Sequence, residues 1–207
     1  MSLAIRPTEN KVRQALFNIL GDIHELSFLD LFAGTGSVGI DAARHGAGRV
    51  VFVENSRAAL ALLEKNVAKV CPKDSDYLVL PLDVYSALDK FVRRGERFDI
   101  VFLDPPYLVR SSEFGVGSSK PKVRSSEFGV GRGTCPVRAS SPSWATVGSN
   151  GVKKPLQTID KYDILENSGL IIAQHHKKDT LPADLQSLAL LRQYRYGDTL
   201  LSVYKSD

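Results

Sequence analysis

Asp104-Pro105-Pro106-Tyr107 follows a short apolar run, Phe98 to Leu103, that reads as a buried strand. The residue before a proline is pushed to extended backbone, so Asp104 stays extended as the strand ends. Neither proline carries an N–H, so the segment offers carbonyls and one carboxylate but few donors. Such a set suits a ligand that brings its own N–H groups, and the exocyclic amine of a nucleobase is one. Tyr107 adds an aromatic face on which a base can stack. Taken alone, the same four residues also make a rigid turn.

A second constellation lies upstream. Asp30-Leu31-Phe32-Ala33-Gly34-Thr35-Gly36-Ser37-Val38-Gly39 is a strand running into a glycine-rich turn that opens a helix. In the loop Ala33-Gly34-Thr35-Gly36 the two glycines let backbone approach a ligand, and Gly39 permits close helix–strand packing. The spacing is formally that of a dinucleotide loop. Asp30 argues against a dinucleotide, because its carboxylate would face a pyrophosphate with like charge. S-adenosylmethionine instead carries a sulfonium and an ammonium, which a carboxylate attracts. Glu54 ends the next apolar run, Val50 to Val53, and can accept hydrogen bonds from both hydroxyls of an adenosine ribose. Asp83 follows the run Tyr77 to Leu80 and can meet the adenine amine, with Val84 packed on the ring. Asp83 is equally placed to cap the following helix, and one side chain can do both.

The elements that position these acids alternate. Residues 8–20 read as a helix with Val12, Leu16, Ile19 and Leu20 on one face, ended by Gly21. Arg6, Lys11 and Arg13 lie on or just before it, either solvated or contacting phosphate. Strands are expected at 28–32, 50–53, 77–80, 98–103, 170–173 and 200–204, and helices at 37–44, 57–70, 85–93 and 156–165. Short apolar strands alternating with amphipathic helices indicate a parallel, doubly wound sheet. Residues 185–195 are mixed in pattern. Gly197-Asp198 suits a hairpin at the sheet edge, between Gln193–Arg195 and Leu200–Tyr204.

Composition sets outer bounds. No apolar run approaches the roughly 20 residues of a membrane helix, and no apolar stretch of a signal peptide follows Met1. Cys71 and Cys135 lack metal-type spacing and read as free thiols in a reducing compartment. The formal charge is +4, but residues 108–155 hold eight Lys/Arg against two Glu, leaving the remainder at −2. That segment is rich in Ser and Gly, and it carries Arg-Ser-Ser-Glu-Phe-Gly-Val-Gly at both 110–117 and 124–131. It reads as an insertion, either without a role or acting as a basic flap on nucleic acid.

With these pieces in place, the chain resembles the bacterial methyltransferases that modify a guanine N2 in small-subunit ribosomal RNA, the RsmD family. The matching stretches are Arg6 to Leu20, Asp30 to Ile40, Val51 to Glu54, Phe98 to Tyr107 and Tyr196-Gly197-Asp198-Thr199. The Arg-Pro-Thr opening with Leu16-Phe17-Asn18-Ile19-Leu20 is the discriminating part. Relatives place a basic β-arm ahead of that opening, a short loop after Tyr107, and often Glu-His where this chain has Gln174-His175-His176. Adjacent histidines on a strand point to opposite faces, and no third ligand accompanies them, so no metal is expected.

The resemblance implies a Rossmann-like class I S-adenosylmethionine-dependent methyltransferase of α/β fold. It implies a seven-stranded mixed sheet with helices on both faces, in one domain, 1–207, interrupted at about 108–155. The expected cofactor is S-adenosylmethionine, held by Asp30, Ala33, Gly34, Thr35, Gly36, Glu54, Asp83 and Val84. Asp104 and the Pro105 carbonyl are expected to accept the two N–H bonds of the target amine, localising its lone pair for in-line attack on the methyl group. Tyr107 is expected to hold the extruded base. The expected setting is a cytoplasmic monomer acting on ribosomal RNA in an assembling small subunit, with no membrane partner. Three alternatives stay open: a DNA adenine-N6 or cytosine-N4 methyltransferase, a nicotinamide oxidoreductase, and a non-catalytic RNA-binding assembly factor.

Overall fold

The computed structural model describes residues 7–70, 75–106 and 151–206. The elements run α1 (Pro7–Leu20), β1 (Ser27–Asp30), α2 (Ser37–Arg44), β2 (Arg49–Val53), α3 (Arg57–Val70), β3 (Asp76–Leu80) and α4 (Val84–Arg94). They continue with β4 (Phe98–Leu103), α5 (Lys153–Lys161), β5 (Leu165–His176), β6 (Leu188–Tyr196) and β7 (Thr199–Ser206). The strands form one seven-stranded sheet in the order β3-β2-β1-β4-β5-β7-β6. β1 to β5 are mutually parallel, and β7 runs antiparallel to both β5 and β6.

Alternation along each strand feeds two cores. Leu29, Val51, Val53, Val101, Leu103 and Ile171 face one side, where Ala87, Leu88 and Phe91 of α4 and Leu156 and Ile159 of α5 cover them. Phe28, Val50, Phe52, Ile100, Phe102 and Ile172 face the other, under Val12 and Leu16 of α1, Ile40 of α2 and Leu63 and Val67 of α3. Helices therefore lie on both faces. The chain leaves β1 toward β2 on one side, whereas β4 lies on the other. That reversal opens a crevice at the carboxyl ends of β1 and β4, where ligands bind in sheets of this kind.

Several boundaries differ from the sequence expectation: β1 ends at Asp30 rather than at 32, β6 is a full strand over Leu188–Tyr196, and the largest shifts lie around α5. Helix α5 occupies Lys153–Lys161, and β5 already begins at Leu165. Ile164 and Leu165 continue an apolar spacing that resembles a helix, but the Phe98 N–H bonds to the Ile164 carbonyl and Phe98 pairs with Leu165. Partnership with β4 decides the backbone there. The expected insertion also overlaps the domain at its end, since Val152 is buried in the core beneath α5 and Pro155 is buried too. Residues 108–150 lie outside the described residues. Replacing 108–150 by a short linker is expected to leave the melting temperature unchanged. Extending the replacement through 155 removes Val152, whose burial is worth ~1.5–3 kcal/mol. The melting temperature should then fall by ~2–4 °C per kcal/mol for a domain of this size, a loss scanning calorimetry would register.

Candidate active site

A cavity of about 530 Å³ opens at the carboxyl ends of β1, β2 and β4. The glycine turn forms one wall and the start of α4 another. Gly151, Lys154 and Pro155, at and just before the start of α5, complete it. Asp30, Ala33, Gly34, Thr35, Glu54, Asp83, Val84, Asp104 and Pro105 all line it. Gly36 does not. Its φ of 82° makes the turn into α2, and a Cβ there would lie 2.4 Å from a Leu63 methyl. Backbone conformation and packing therefore both require glycine at position 36. Gly39 lets α2 settle on β2, because a Cβ would fall 2.3 Å from the Phe52 ring. Tyr107 lies outside the described residues.

Asp30 is 1% exposed, and its Oδ1 has no hydrogen-bond partner among the described residues. Burial pushes its carboxyl up to about 7. The Glu54 charge pushes the same way, while the N–H groups of Gly39 and Phe32 partly offset both. A buried carboxylate oxygen without a donor is costly. Asp30 lines the cavity, and a carboxylate in its wall has a natural complement in a cationic ligand.

Glu54 is tied to the loop it faces. Its Oε2 accepts the Gly34 N–H at 2.8 Å, and its Oε1 accepts the N–H groups of Asn55 at 2.9 Å and Ser56 at 2.8 Å. From α3, the Asn66 amide donates to the Thr35 carbonyl at 2.9 Å and holds the far side of the turn. Asp83 caps α4: its Oδ1 accepts from the Tyr85 and Ser86 N–H groups, and its Oδ2 from the Ser86 hydroxyl at 2.6 Å. Burial raises the Asp83 carboxyl, but the Ser86 and Tyr85 donors outweigh it, and the net shift is downward. Capping and cavity lining therefore coincide in one side chain.

Asp104 is half-buried at the mouth. Because Leu103 pairs with Ala173, Gln174 stands level with Asp104 on the neighbouring strand, and its Nε2 donates to Asp104 Oδ2 at 3.0 Å. His175 is turned the other way. Its Nε2 lies 2.7 Å from the Ser202 hydroxyl, its Nδ1 lies 3.1 Å from the His176 carbonyl, and burial lowers its pKa.

Sequence reasoning gave no role to Gln174, Asn66 or Lys154. Gln174 left a signal, since it stands at the end of an apolar strand run as the predicted acids do. Lys154 is the single cation among the described lining residues, against the four carboxylates of Asp30, Glu54, Asp83 and Asp104. Its Nζ sits 5.3 Å from the centroid of the Tyr85 ring. Such a cavity repels a pyrophosphate and suits a ligand with cationic groups, ribose hydroxyls and an amine.

A family profile described as Conserved hypothetical protein 95 matches residues 2–114. The chain is 28% identical over 201 residues to the "Putative rRNA methyltransferase YlbH" of Bacillus subtilis, covering 97% of this chain and 87% of that one. It is 36% identical over 110 residues to the "Ribosomal RNA small subunit methyltransferase D" of Haemophilus influenzae, covering 51% of this chain and 55% of that protein, about half its length. Among solved structures, "SMU.776, a putative methyltransferase complexed with SAH" matches with a TM-score of 0.64 at 18% identity, over 97% of this chain and 50% of the other. At that identity the likeness is one of fold.

Proposed function

The chain belongs to the Conserved hypothetical protein 95 family, and from that premise we propose that it is an S-adenosylmethionine-dependent methyltransferase of ribosomal RNA. The finer assignment we propose is guanine N2 in an assembling small subunit, in the bacterial cytoplasm. Relatives named for ribosomal RNA methylation and a structural neighbour complexed with SAH support the coarser reading, a ribosomal RNA methyltransferase. The observation that carries the methyltransferase reading is Asp104, held by Gln174 at the end of β4 beside an acid-lined cavity.

When bound, S-adenosylmethionine supplies a methyl group carried on a sulfonium. The chain's residues fit that group. Asp30 in the cavity wall offers a carboxyl to its cationic end, and Glu54, anchored through Gly34, presents a carboxylate to the ribose. An exocyclic amine is a poor nucleophile while its lone pair is delocalised into the ring. Asp104 and the Pro105 carbonyl accept its N–H bonds and localise that pair. Positioning and electrostatics then carry the reaction, with no covalent intermediate. Tyr107, next in sequence after the prolines, supplies the stacking face.

Guanine N2, adenine N6 and cytosine N4 all present a flat amine to such a site. The test supplies labelled cofactor with unmethylated small-subunit particles, naked ribosomal RNA and duplex DNA, and identifies the modified nucleoside by mass spectrometry. N2-methylguanosine from the particle is expected. N6-methyladenine or N4-methylcytosine from DNA would replace the assignment with a DNA methyltransferase. Particle binding without any methylated product would make the protein an assembly factor.

Gln174 is assigned as a positioning residue. Gln174→Leu keeps its bulk but removes the donor that aims Asp104. A displacement of about 1 Å at a reacting centre costs on the order of 100-fold. The expected result is a kcat lowered by ~10–100-fold with the KM for RNA and the cofactor Kd unchanged, separated by steady-state kinetics and calorimetry.

A further inference from the structure

A second concavity, an open groove of about 600 Å³, runs between α1 and the edge strand β6. Lys11, Gln14 and Asn18 border it from the helix, and Tyr194 and Tyr196 from the strand. The spacing explains the stripe. Positions 11, 14 and 18 recur at i, i+3 and i+7 on one exposed face of α1, while Val12 and Leu16 turn into the core. On β6, residues 194 and 196 share one face of the pleat, with the same core beneath them.

The groove is level with the catalytic end of the sheet. Asp104 stands beside Gln174, Gln174 pairs with Leu201, and Leu201 pairs with Tyr194. Paired residues point to the same face, so Asp104 and Tyr194 belong to one row on the face that α1 covers. Three strand spacings separate them, roughly 14 Å. Tyr196 lies one step further toward the same rim.

Its chemistry is that of a strand-binding surface. Among the described residues no carboxylate lines it. Arg13, the other described cation of α1, is bound to Asp41 at 2.6 Å, whereas Lys11 makes no ion pair among the described residues. The Arg192 guanidinium lies 5.9 Å from the Tyr194 ring centroid and makes no ion pair among them either. Two half-buried tyrosines, the Lys11 ammonium and two side-chain amides match the bases, a phosphate and the hydrogen-bonding edges of single-stranded nucleic acid.

We infer that the groove between α1 and β6 holds the single-stranded RNA flanking the nucleotide presented to Asp104, with Tyr194 and Tyr196 as stacking faces and Lys11 on a phosphate. This rests on the proposed ribosomal RNA substrate and adds where the rest of that substrate runs. It also gives the edge strand a partner other than another strand.

The test uses the full chain and a single-stranded fragment of small-subunit ribosomal RNA. Tyr194→Leu/Tyr196→Leu keeps apolar bulk over the core but removes the aromatic faces. Lys11→Ala, on the exposed helix face, guards against a folding artefact. The leucine pair is expected to raise the RNA Kd and the KM for RNA by about ten-fold or more, with kcat at saturation and cofactor Kd retained. Lys11→Ala is expected to reduce the slope of log affinity against log salt by about 1. Wild-type protein that fails to hold the strand, or variants that hold it equally well, would overturn the assignment. A loss seen only with intact particles would give the groove to a protein component instead. If wild type methylates RNA and the variants match its KM, the groove alone is refuted; if wild type methylates no RNA, the proposed activity fails first.

Discussion

Replacing Asp104 by alanine is expected to lower methyl transfer by about 10²–10³-fold or more, the scale on which a single preorganised electrostatic contact acts on a developing charge. The amine loses the acceptor that draws its lone pair out of the ring. Cofactor affinity should stay close to wild type, because the acids assigned to the cofactor are Asp30 at the end of β1, Glu54, which follows β2 and binds the glycine turn, and Asp83 at the start of α4. Asp104→Asn is expected to fare little better. Its one carbonyl oxygen can keep the Gln174 N–H, but its NH₂ then opposes the N–H bonds of the substrate. Asp104→Glu retains the charge on a longer stem, and misplacement of about 1 Å is already costly. Single-turnover kinetics with labelled cofactor measure all three, and calorimetry checks that the cofactor still binds. Turnover of the alanine variant within ten-fold of wild type would remove Asp104 from the chemistry.

The prediction rests on a site whose parts differ in how visible they are in the sequence. Asp30, Glu54, Asp83 and Asp104 each follow a short apolar run, and a parallel sheet brings such run ends to one rim. Their chemistry is therefore legible one strand at a time. Gly36 has the residue type expected of a ligand-facing glycine, yet its role is set by Leu63, 27 positions later, which the missing Cβ admits. Gln174 is hidden for a stronger reason. Its contact with Asp104 exists only because β5 lies against β4 in a register that pairs Leu103 with Ala173. Local pattern carries no information on that register. The groove beside β6 is hidden likewise, since it depends on β7 lying between β5 and β6. The start of α5 is obscured by composition: Gly151 to Pro155 follows a long polar stretch, and only the burial of Val152 shows that the core has resumed.

Asp30 gives the other large effect, and it has two signs. In the free protein the carboxyl titrates at about 7 rather than at its ordinary 3.8, chiefly because it is buried. The folded state therefore keeps a proton that the unfolded chain has already released. The group costs nothing below about pH 4, its cost grows between about pH 4 and 7, and above that the full penalty applies, about 4 kcal/mol by linkage. Asp30→Asn removes that penalty, and the amide oxygen of the variant can still face the Gly39 and Phe32 N–H groups. The variant without ligand is thus expected to melt several degrees above wild type at about pH 8, with the difference shrinking toward about pH 5. Cofactor binding should move the other way. A cationic ligand is drawn to the ionised form, so wild-type affinity should rise as the pH climbs through the carboxyl's raised pKa. The Asp30→Asn variant should bind ~10–100-fold more weakly at about pH 8, the scale of a lost hydrogen bond to a charged group, with little dependence on pH. Scanning calorimetry and titration calorimetry at about pH 5, 6.5 and 8 would follow both trends. Wild-type affinity that is flat across that range, or a variant whose stability relative to wild type falls rather than rises with pH, would show that Asp30 is satisfied by some group of the protein itself and does not wait for the ligand.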